Sequence, residues 1–417
     1  MKLQTAKGVR DISPEEQLLR QKVIDVLKNT FEKYGFAPLD TPIIERMDVL
    51  ASKYAGGAEI LKEMFQFKDQ GERELGLRYD LTVPFCRFVS MNPNLKMPFK
   101  RYAIGKVFRD GPVSTDRVRE FTQCDVDITG TKSMLADAEF VNIFNDVFCE
   151  LGIKFELRIN NRKLLNGILE TVGVKDESVI LTIDKLDKIG ERGVSEELKE
   201  KKLSDKQIKE IFKLINTKKL SELKKLIKSS IGQEGINELE ELFNYCTGLT
   251  YTFSPSLARG LAYYTGTIYE IYSLEGGIKS AIGSGGRYDK MISGFLESKQ
   301  EYPTVGISFG LDRICMALKE KGLKISKTPT QVYLIPIKTE KECVDIAREL
   351  RKQNIKVDMD MNGKGISKNL QYANSYEIPY VIFVGQEELK AKKVKLRNMK
   401  TGKEELLKVN DVKNKVK

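Results

Sequence analysis

Arginines, carboxylates and tyrosines carry whatever chemistry this chain performs, because its 417 residues include no histidine. Imidazole general-base catalysis, His-x-x-x-His zinc sites and Ser-His-Asp triads are therefore excluded. Catalysis has to run on positioning, guanidinium groups, carboxylates and a metal ion. The densest cluster of such residues is Phe99–Gly130, FKRYAIGKVFRDGPVSTDRVREFTQCDVDITG. Tyr102, Ile104, Lys106 and Phe108 alternate along a strand that Arg109-Asp110-Gly111-Pro112 breaks, and Phe121, Cys124, Val126 and Ile128 mark a second strand. Two antiparallel strands would set Arg109 and Arg119 beside a loop able to cover an anion. Guanidinium forks suit phosphate, donating paired hydrogen bonds and staying charged. An ordinary hairpin with solvated arginines fits the same charges.

Other stretches offer partners for such an anion site. LRYDLTVPFCR puts Asp80 and Thr82 at a strand-to-helix junction, where Asp80 either points into a cleft or caps the helix. Ala258–Glu270 and Ala281–Asp289, rich in Gly, Tyr and Thr, read as neighbouring sheet strands. On a strand, Tyr263 and Tyr264 would face opposite sides, one toward core and one toward a pocket. Thr304–Arg313 reads as a strand entering a helix, with Arg313 in its first turns, a place suited to a nucleotide phosphate or base. Gly363-Lys364-Gly365 imitates a dinucleotide-binding turn, but Lys368 stands where the third glycine belongs, so we reject it.

These residues need a scaffold, and the length predicts two or three domains. Residues 13–34 read as a helix, with Ser13 and Glu16 as a capping box, Pro14 in the first turn and Gly35 at the C-terminal end. Residues 64–90 read as strand, turn, strand and then a helix from about Thr82. From about 183 to 246 the pattern is helical and lysine-rich, an inserted region whose lysines mostly form a solvated face. Lys324–Thr330 reads as a linker, followed by a βαβαβ alternation and the basic run Lys390, Lys392, Lys393, Lys395 and Arg397. A net charge of +11 favours a polyanionic partner. Six scattered cysteines without a C-x-x-C pair suit a reducing cytosol. The N-terminal residues do not read as a secretory signal, and no apolar run reaches membrane-spanning length.

Phe108-Arg109, Arg119-Glu120-Phe121 and Gln123-Cys124-Asp125 resemble the second signature motif of class II aminoacyl-tRNA synthetases. LRYDLTVPF, RGLAYYTGTIYE, GGRYD and GISFGLDR, in that order, resemble histidyl-tRNA synthetases in particular. Asp80 and Asp127, with Cys124-Asp125-Val126 between Gln123 and Asp127, look like the archaeal and eukaryotic branch. The resemblance implies an α+β fold: a class II antiparallel sheet flanked by helices over residues 1–323, with the insertion at about 183–246, and a C-terminal α/β anticodon-binding domain over 331–417. It implies activation of L-histidine by ATP with Mg²⁺ on the phosphates and no assigned protein ligand to the metal, then transfer to tRNA(His). A cytoplasmic homodimer joined through the N-terminal helix and strand region is also implied.

By the same resemblance, Arg109 and Arg259 are catalytic and grip the α-phosphate, while Phe121 and Arg313 sandwich adenine. Asp80, Thr82 and Gln123 hold the α-ammonium, Asp127 and Tyr264 bracket the imidazole, and Tyr263 and Tyr288 line the pocket. Ala262 stands where the family commonly has Asp. Three other readings compete: the non-catalytic relative that regulates a phosphoribosyltransferase, a synthetase for another amino acid, and a basic RNA-binding protein without chemistry.

Overall fold

The computed structural model describes residues 3–51, 61–114, 117–260, 263–298 and 300–416; Ala262 lies outside the described residues. The chain divides into two compact units, Met1–Asp11 with Lys22–Leu323, and Ile12–Gln21 with Lys324–Lys417.

The first unit is built on an eight-stranded sheet. Its strands are β1 (Ala37–Pro38), β5 (Phe99–Phe108), β6 (Glu120–Thr129), β7 (Phe155–Asn161), β8 (Thr252–Phe253), β9 (Thr267–Ser273), β10 (Gly283–Arg287) and β11 (Thr304–Gly310). Their spatial order is β1-β5-β6-β11-β10-β9-β7-β8, antiparallel except where β1 meets β5 and β7 meets β8. Strands β2 (Ile44–Arg46), β3 (Gln66–Lys68) and β4 (Glu74–Leu77) form a separate sheet of order β2-β4-β3.

Period-two alternation gives the large sheet a dry face and a polar one. On the dry face lie Cys124, Val126, Ile128, Ile307, Phe309, Tyr269 and Ile271, all buried. The helix Met134–Glu150 covers them, bringing Phe144 to 5.1 Å and Phe148 to 5.8 Å from Phe309, ring centre to ring centre. Phe31, on the helix Pro14–Lys33, reaches the same ring at 5.7 Å. That helix has the expected ends: Ser13 accepts from the Glu16 amide at 3.3 Å, and Gly35 follows with φ of +77°.

The helical region is five helices, Ser178–Ile183, Leu186–Glu200, Asp205–Ile215, Leu220–Leu226 and Ser230–Tyr245. It begins about five residues before the sequence pattern becomes clear, because Ser178–Ile183 has no polar face: Val179, Ile180, Thr182 and Ile183 are all buried.

The second unit carries a five-stranded sheet, β12 (Val332–Pro336), β13 (Val357–Met359), β14 (Tyr380–Val384), β15 (Val394–Asn398) and β16 (Glu404–Leu407), in the order β13-β12-β14-β15-β16. The first three are parallel and joined by helices, as the βαβαβ pattern requires. The basic run is not a free polycationic stretch. Its second half is β15, whose Val394 and Leu396 are buried while Lys395 lies 3.5 Å from Glu388 and Arg397 3.4 Å from Glu404.

Candidate active site

Strand pairing lays the polar face of the large sheet out in rows. One row reads Arg101, Asp127, Gly306, Gly286 across β5, β6, β11 and β10. The next reads Ala103, Asp125, Ser308, Ser284, Glu270, and a third pairs Gly105, Gln123 and Gly310. Side chains from strands that are distant in sequence thus share one surface.

The glycines of the first row are needed for their lack of a side chain. A Cβ on Gly306 would fall 1.8 Å from Asp127 Oδ1, and one on Gly286 would fall 2.8 Å from the Tyr264 ring. Asp127 leans over one glycine and Tyr264 over the other, on adjacent strands roughly 5 Å apart. Asp127 is already engaged: Arg101 Nη2 lies 2.7 Å from its Oδ2, and the Tyr288 hydroxyl donates to Oδ1. Burial pushes its carboxyl up, Arg101 and Tyr288 oppose that, and Asp80 adds to it. Arg101 is almost wholly buried, stacks 4.3 Å over Phe85 and donates to the Leu81 carbonyl at 3.2 Å.

Tyr263 and Tyr264 do not straddle a strand. They stand in the loop before β9, with ring centres 4.7 Å apart, and Tyr263 meets the Tyr288 ring edge-on at 6.0 Å. The Tyr264 hydroxyl shares hydrogen bonds with Tyr263 and Arg259. Arg259 is anchored on the second row, donating to Glu270 at 2.6 Å and to the Ser284 hydroxyl at 3.1 Å. Burial pulls its affinity for a proton down, but the Glu270 carboxylate, with Tyr264, Tyr263 and Asp184, more than restores it.

Arg109, just past the end of β5, is held flat between two rings, 4.2 Å from Tyr79 and 4.9 Å from Phe121. One face of Phe121 thus meets a guanidinium from its own hairpin. Arg313 Nη1 donates to the Ala281 carbonyl at 2.8 Å. Phe121 and Arg313 stand at one end of the sheet, because the Gln123–Gly310 pair closes the β6–β11 ladder and the helix Leu311–Glu320 starts at once. Arg119 pairs with Asp110 at 3.0 Å and Arg117 with Glu63, so these two serve the loop.

Asp80 caps its helix: Oδ1 accepts from the Thr82 amide at 3.0 Å and the Val83 amide at 2.8 Å. Burial pushes its carboxyl up, while those amides and the charges of Arg109 and Arg101 draw it back. Thr82 opens that helix. The Tyr263 hydroxyl feels both Asp80 and Arg259, which ties the Arg109 side of the site to the Arg259 side.

Gln123 donates to the Ser308 hydroxyl at 3.3 Å, and that hydroxyl in turn bonds Asp125. Gln123 Oε1, Asp125 Oδ1 and Arg259 Nε are buried without a hydrogen-bond partner. The surface therefore offers spare acceptors on β6 and a guanidinium fork anchored two to three strands away on β10 and β9. Such a surface can hold a molecule that is cationic at one end and anionic at the other, and stabilise negative charge developing at the guanidinium end. Among the described residues no three His, Cys, Asp or Glu side chains converge as a metal cage.

Sequence reading missed Arg101, Asp125, Ser308, Ser284 and Glu270 as parts of this surface. The alternation on β5 was visible, but which residue faces Asp127 is decided by register with a strand whose partner lies far along the chain.

The histidyl-tRNA synthetase family model matches residues 8–314, and an anticodon-binding domain model matches residues 331–417. Histidine–tRNA ligase 1 of Bacillus cereus is 46% identical over 415 residues, covering 97% of both chains. Histidine–tRNA ligase of Clostridium tetani is 39% identical over 97% of this chain and 95% of its own. The crystal structure of histidyl-tRNA synthetase from Nostoc superimposes with a TM-score of 0.89 at 28% identity, covering 100% of this chain and 99% of that one. A Bacillus halodurans structure described as an ATP phosphoribosyltransferase regulatory subunit/histidyl-tRNA synthetase, at 22% identity and TM-score 0.74 over 92% of this chain and 98% of its own, shares the fold. With a family model spanning most of its length and relatives matched from end to end, this chain belongs to the histidyl-tRNA synthetase family.

Proposed function

We propose that this chain is a histidine–tRNA ligase: it activates L-histidine with ATP and passes the histidyl group to the 3′ end of tRNA(His). The observation that carries this reading is the polar sheet surface, which sets the carboxyls of Asp125 and Asp127 on β6 across from the Arg259 fork anchored on β9 and β10. An amino acid seated there would keep its ring over Gly306 and Gly286 and direct its carboxylate toward the guanidinium groups.

Arg109 and Arg259 would grip the α-phosphate from two sides. Their work is to hold the attacking carboxylate in line and to neutralise charge as it builds on the phosphate. Glu270, Ser284 and Tyr264 fix the Arg259 fork in advance, so little reorganisation accompanies the reaction. Phe121 and Arg313 would enclose adenine, with Arg109 covering the other face of Phe121. Asp80, Thr82 and Gln123 would hold the α-ammonium, while Tyr263 and Tyr288 close the ring pocket. A pocket with an acceptor and a hydroxyl placed for two ring nitrogens penalises any amino acid that leaves them unpaired. Mg²⁺ would neutralise the outer phosphates when ATP binds.

Residues 1–323 serve as the catalytic domain in this reading, with the helical insertion at about 183–246, and residues 331–417 read the anticodon region of tRNA(His). A cytoplasmic homodimer is expected; the half-exposed Ile43 and Ile44 in the N-terminal strand region support a partner surface there. The archaeal and eukaryotic likeness read from Asp80, Asp127 and the Cys124-Asp125-Val126 between Gln123 and Asp127 finds no support, since the relatives named above are bacterial. ATP–pyrophosphate exchange measured with each of the twenty amino acids tests the reading. Histidine alone should drive exchange; a different amino acid would refute the assignment, and exchange with none would favour the regulatory relative.

A further inference from the structure

We propose that Asp125 is a further substrate-binding residue, which accepts a hydrogen bond from the α-ammonium group of the amino acid and supplies the countercharge for it. This rests on the reading of the site as one that activates an amino acid.

Asp125 sits between Gln123 and Asp127 on the cleft face of β6 and is only 3% exposed. A carboxylate so buried ordinarily has a cationic partner or several donors. Asp127, two residues on, has both: Arg101 at 2.7 Å and the Tyr288 hydroxyl. Asp80 has two backbone amides. Asp125 has the Ser308 hydroxyl, and its Oδ1 has no partner. Burial, with the charges of Asp127 and Asp80, outweighs Arg101 and Ser308 and pushes its carboxyl up to about 7. The site is therefore short of one positive charge at this point.

The Ser308 bridge says which part of the substrate supplies it. The Ser308 hydroxyl accepts a hydrogen bond from Gln123 Nε2 at 3.3 Å and donates one to Asp125. This commits the Gln123 amide nitrogen to Ser308 and leaves its oxygen spare: Gln123 Oε1 is likewise buried and unpartnered. Two spare acceptors coupled through one hydroxyl match an ammonium, which donates three hydrogen bonds and accepts none. A neutral imidazole brings one donor and no charge, and would leave Asp125 uncompensated.

The test compares wild type with Asp125→Asn in histidine-dependent ATP–pyrophosphate exchange, using two competitive inhibitors. Histamine keeps the ring and ammonium but lacks the carboxylate; imidazolepropionate keeps the ring and carboxylate but lacks the ammonium. In the variant, KM for histidine and the inhibition constant of histamine should each rise at least about tenfold, with imidazolepropionate inhibition and KM for ATP within twofold. A histidine KM within twofold of wild type, or equal weakening of both inhibitors, would overturn the proposal. Asp125→Ser is read in the same way; loss of ATP binding in both variants would make Asp125 a scaffold residue and also overturn it. If wild type itself gives no exchange with histidine, the histidine reading fails, an outcome separate from any effect at Asp125.

Discussion

The two large sheets differ in how they treat buried polar groups: among the described residues the second unit leaves one buried side-chain atom, Arg397 Nε, without a hydrogen-bond partner, and the first leaves several. In the second unit the Tyr333 hydroxyl donates to Asn369 Oδ1 at 3.2 Å, and Asn369 Nδ2 donates to Asp360 at 2.8 Å. Asp360 also accepts from the Asn362 and Lys364 amides, at 2.9 and 2.7 Å. Every member has its partners, so the network serves to fix the fold. On the polar face of the eight-stranded sheet, Gln123, Asp125 and the Arg259 anchored there each keep a buried atom unpartnered. Unsatisfied groups cost stability, and a concentration of them on one face marks where a ligand completes the structure. The difference separates a surface built for chemistry from one built for shape, without reference to any relative.

The comparison breaks most sharply at Arg259. If its fork acts on a phosphate, Arg259→Ala should lower exchange by about a thousandfold, the loss expected for one preorganised charge-stabilising donor. Arg259→Lys should recover little, since an ammonium cannot reproduce a fork held by Glu270 and Ser284. Both variants should melt within a few degrees of wild type. A large fall in melting temperature with exchange retained would put Arg259 among the bracing residues.

Local pattern revealed the elements but not their register. The hairpin of β5 and β6 was legible because Arg109-Asp110-Gly111-Pro112 interrupts two alternating runs, and the helix Pro14–Lys33 because Ser13 and Gly35 punctuate it. The parallel part of the second sheet was legible from its alternation of strand and helix. Arg101 was not, because its role depends on standing opposite Asp127, and Ser308 was not, because β11 joins β6 across more than half the unit. Tyr263 and Tyr264 misled because a Gly-, Tyr- and Thr-rich stretch reads as strand throughout, yet β9 begins only at Thr267. Strand β15 was read as part of a charge run because the four lysines and one arginine between 390 and 397 outweigh Val394 and Leu396.

Asp125 sharpens the comparison through pH. A carboxyl held near 7 in the fold, against about 4 in the unfolded chain, binds more protons folded than unfolded between those values. Its contribution to stability therefore falls as pH rises from about 4 to 7, facing Arg101 and Ser308 on one side of the balance and Asp127 and Asp80 on the other. Asp125→Asn removes that decline. Calorimetry without ligands should find the variant near wild type at pH 4 and more stable at pH 8, by roughly 2 to 4 kcal/mol. A difference that does not change with pH would deny Asp125 its elevated carboxyl.

Asn369 supplies the smallest effect and the opposite signature. Asn369→Leu keeps the volume but strips the Tyr333 hydroxyl of its acceptor and Asp360 of a donor, each group costing about 1 to 3 kcal/mol when left buried and unpaired. Asp360 retains two backbone amides, which hold its loop, so the net loss should sit near the lower end of that range. Amide hydrogen exchange would show it as protection lost along β12 and β14 with β6 and β11 unchanged. Histidine-dependent pyrophosphate exchange should stay within twofold, because the groups proposed above for adenylate formation all lie in the first unit. If activation fell together with protection, the satisfied network would be part of the chemistry, and the contrast between the two sheets would fail.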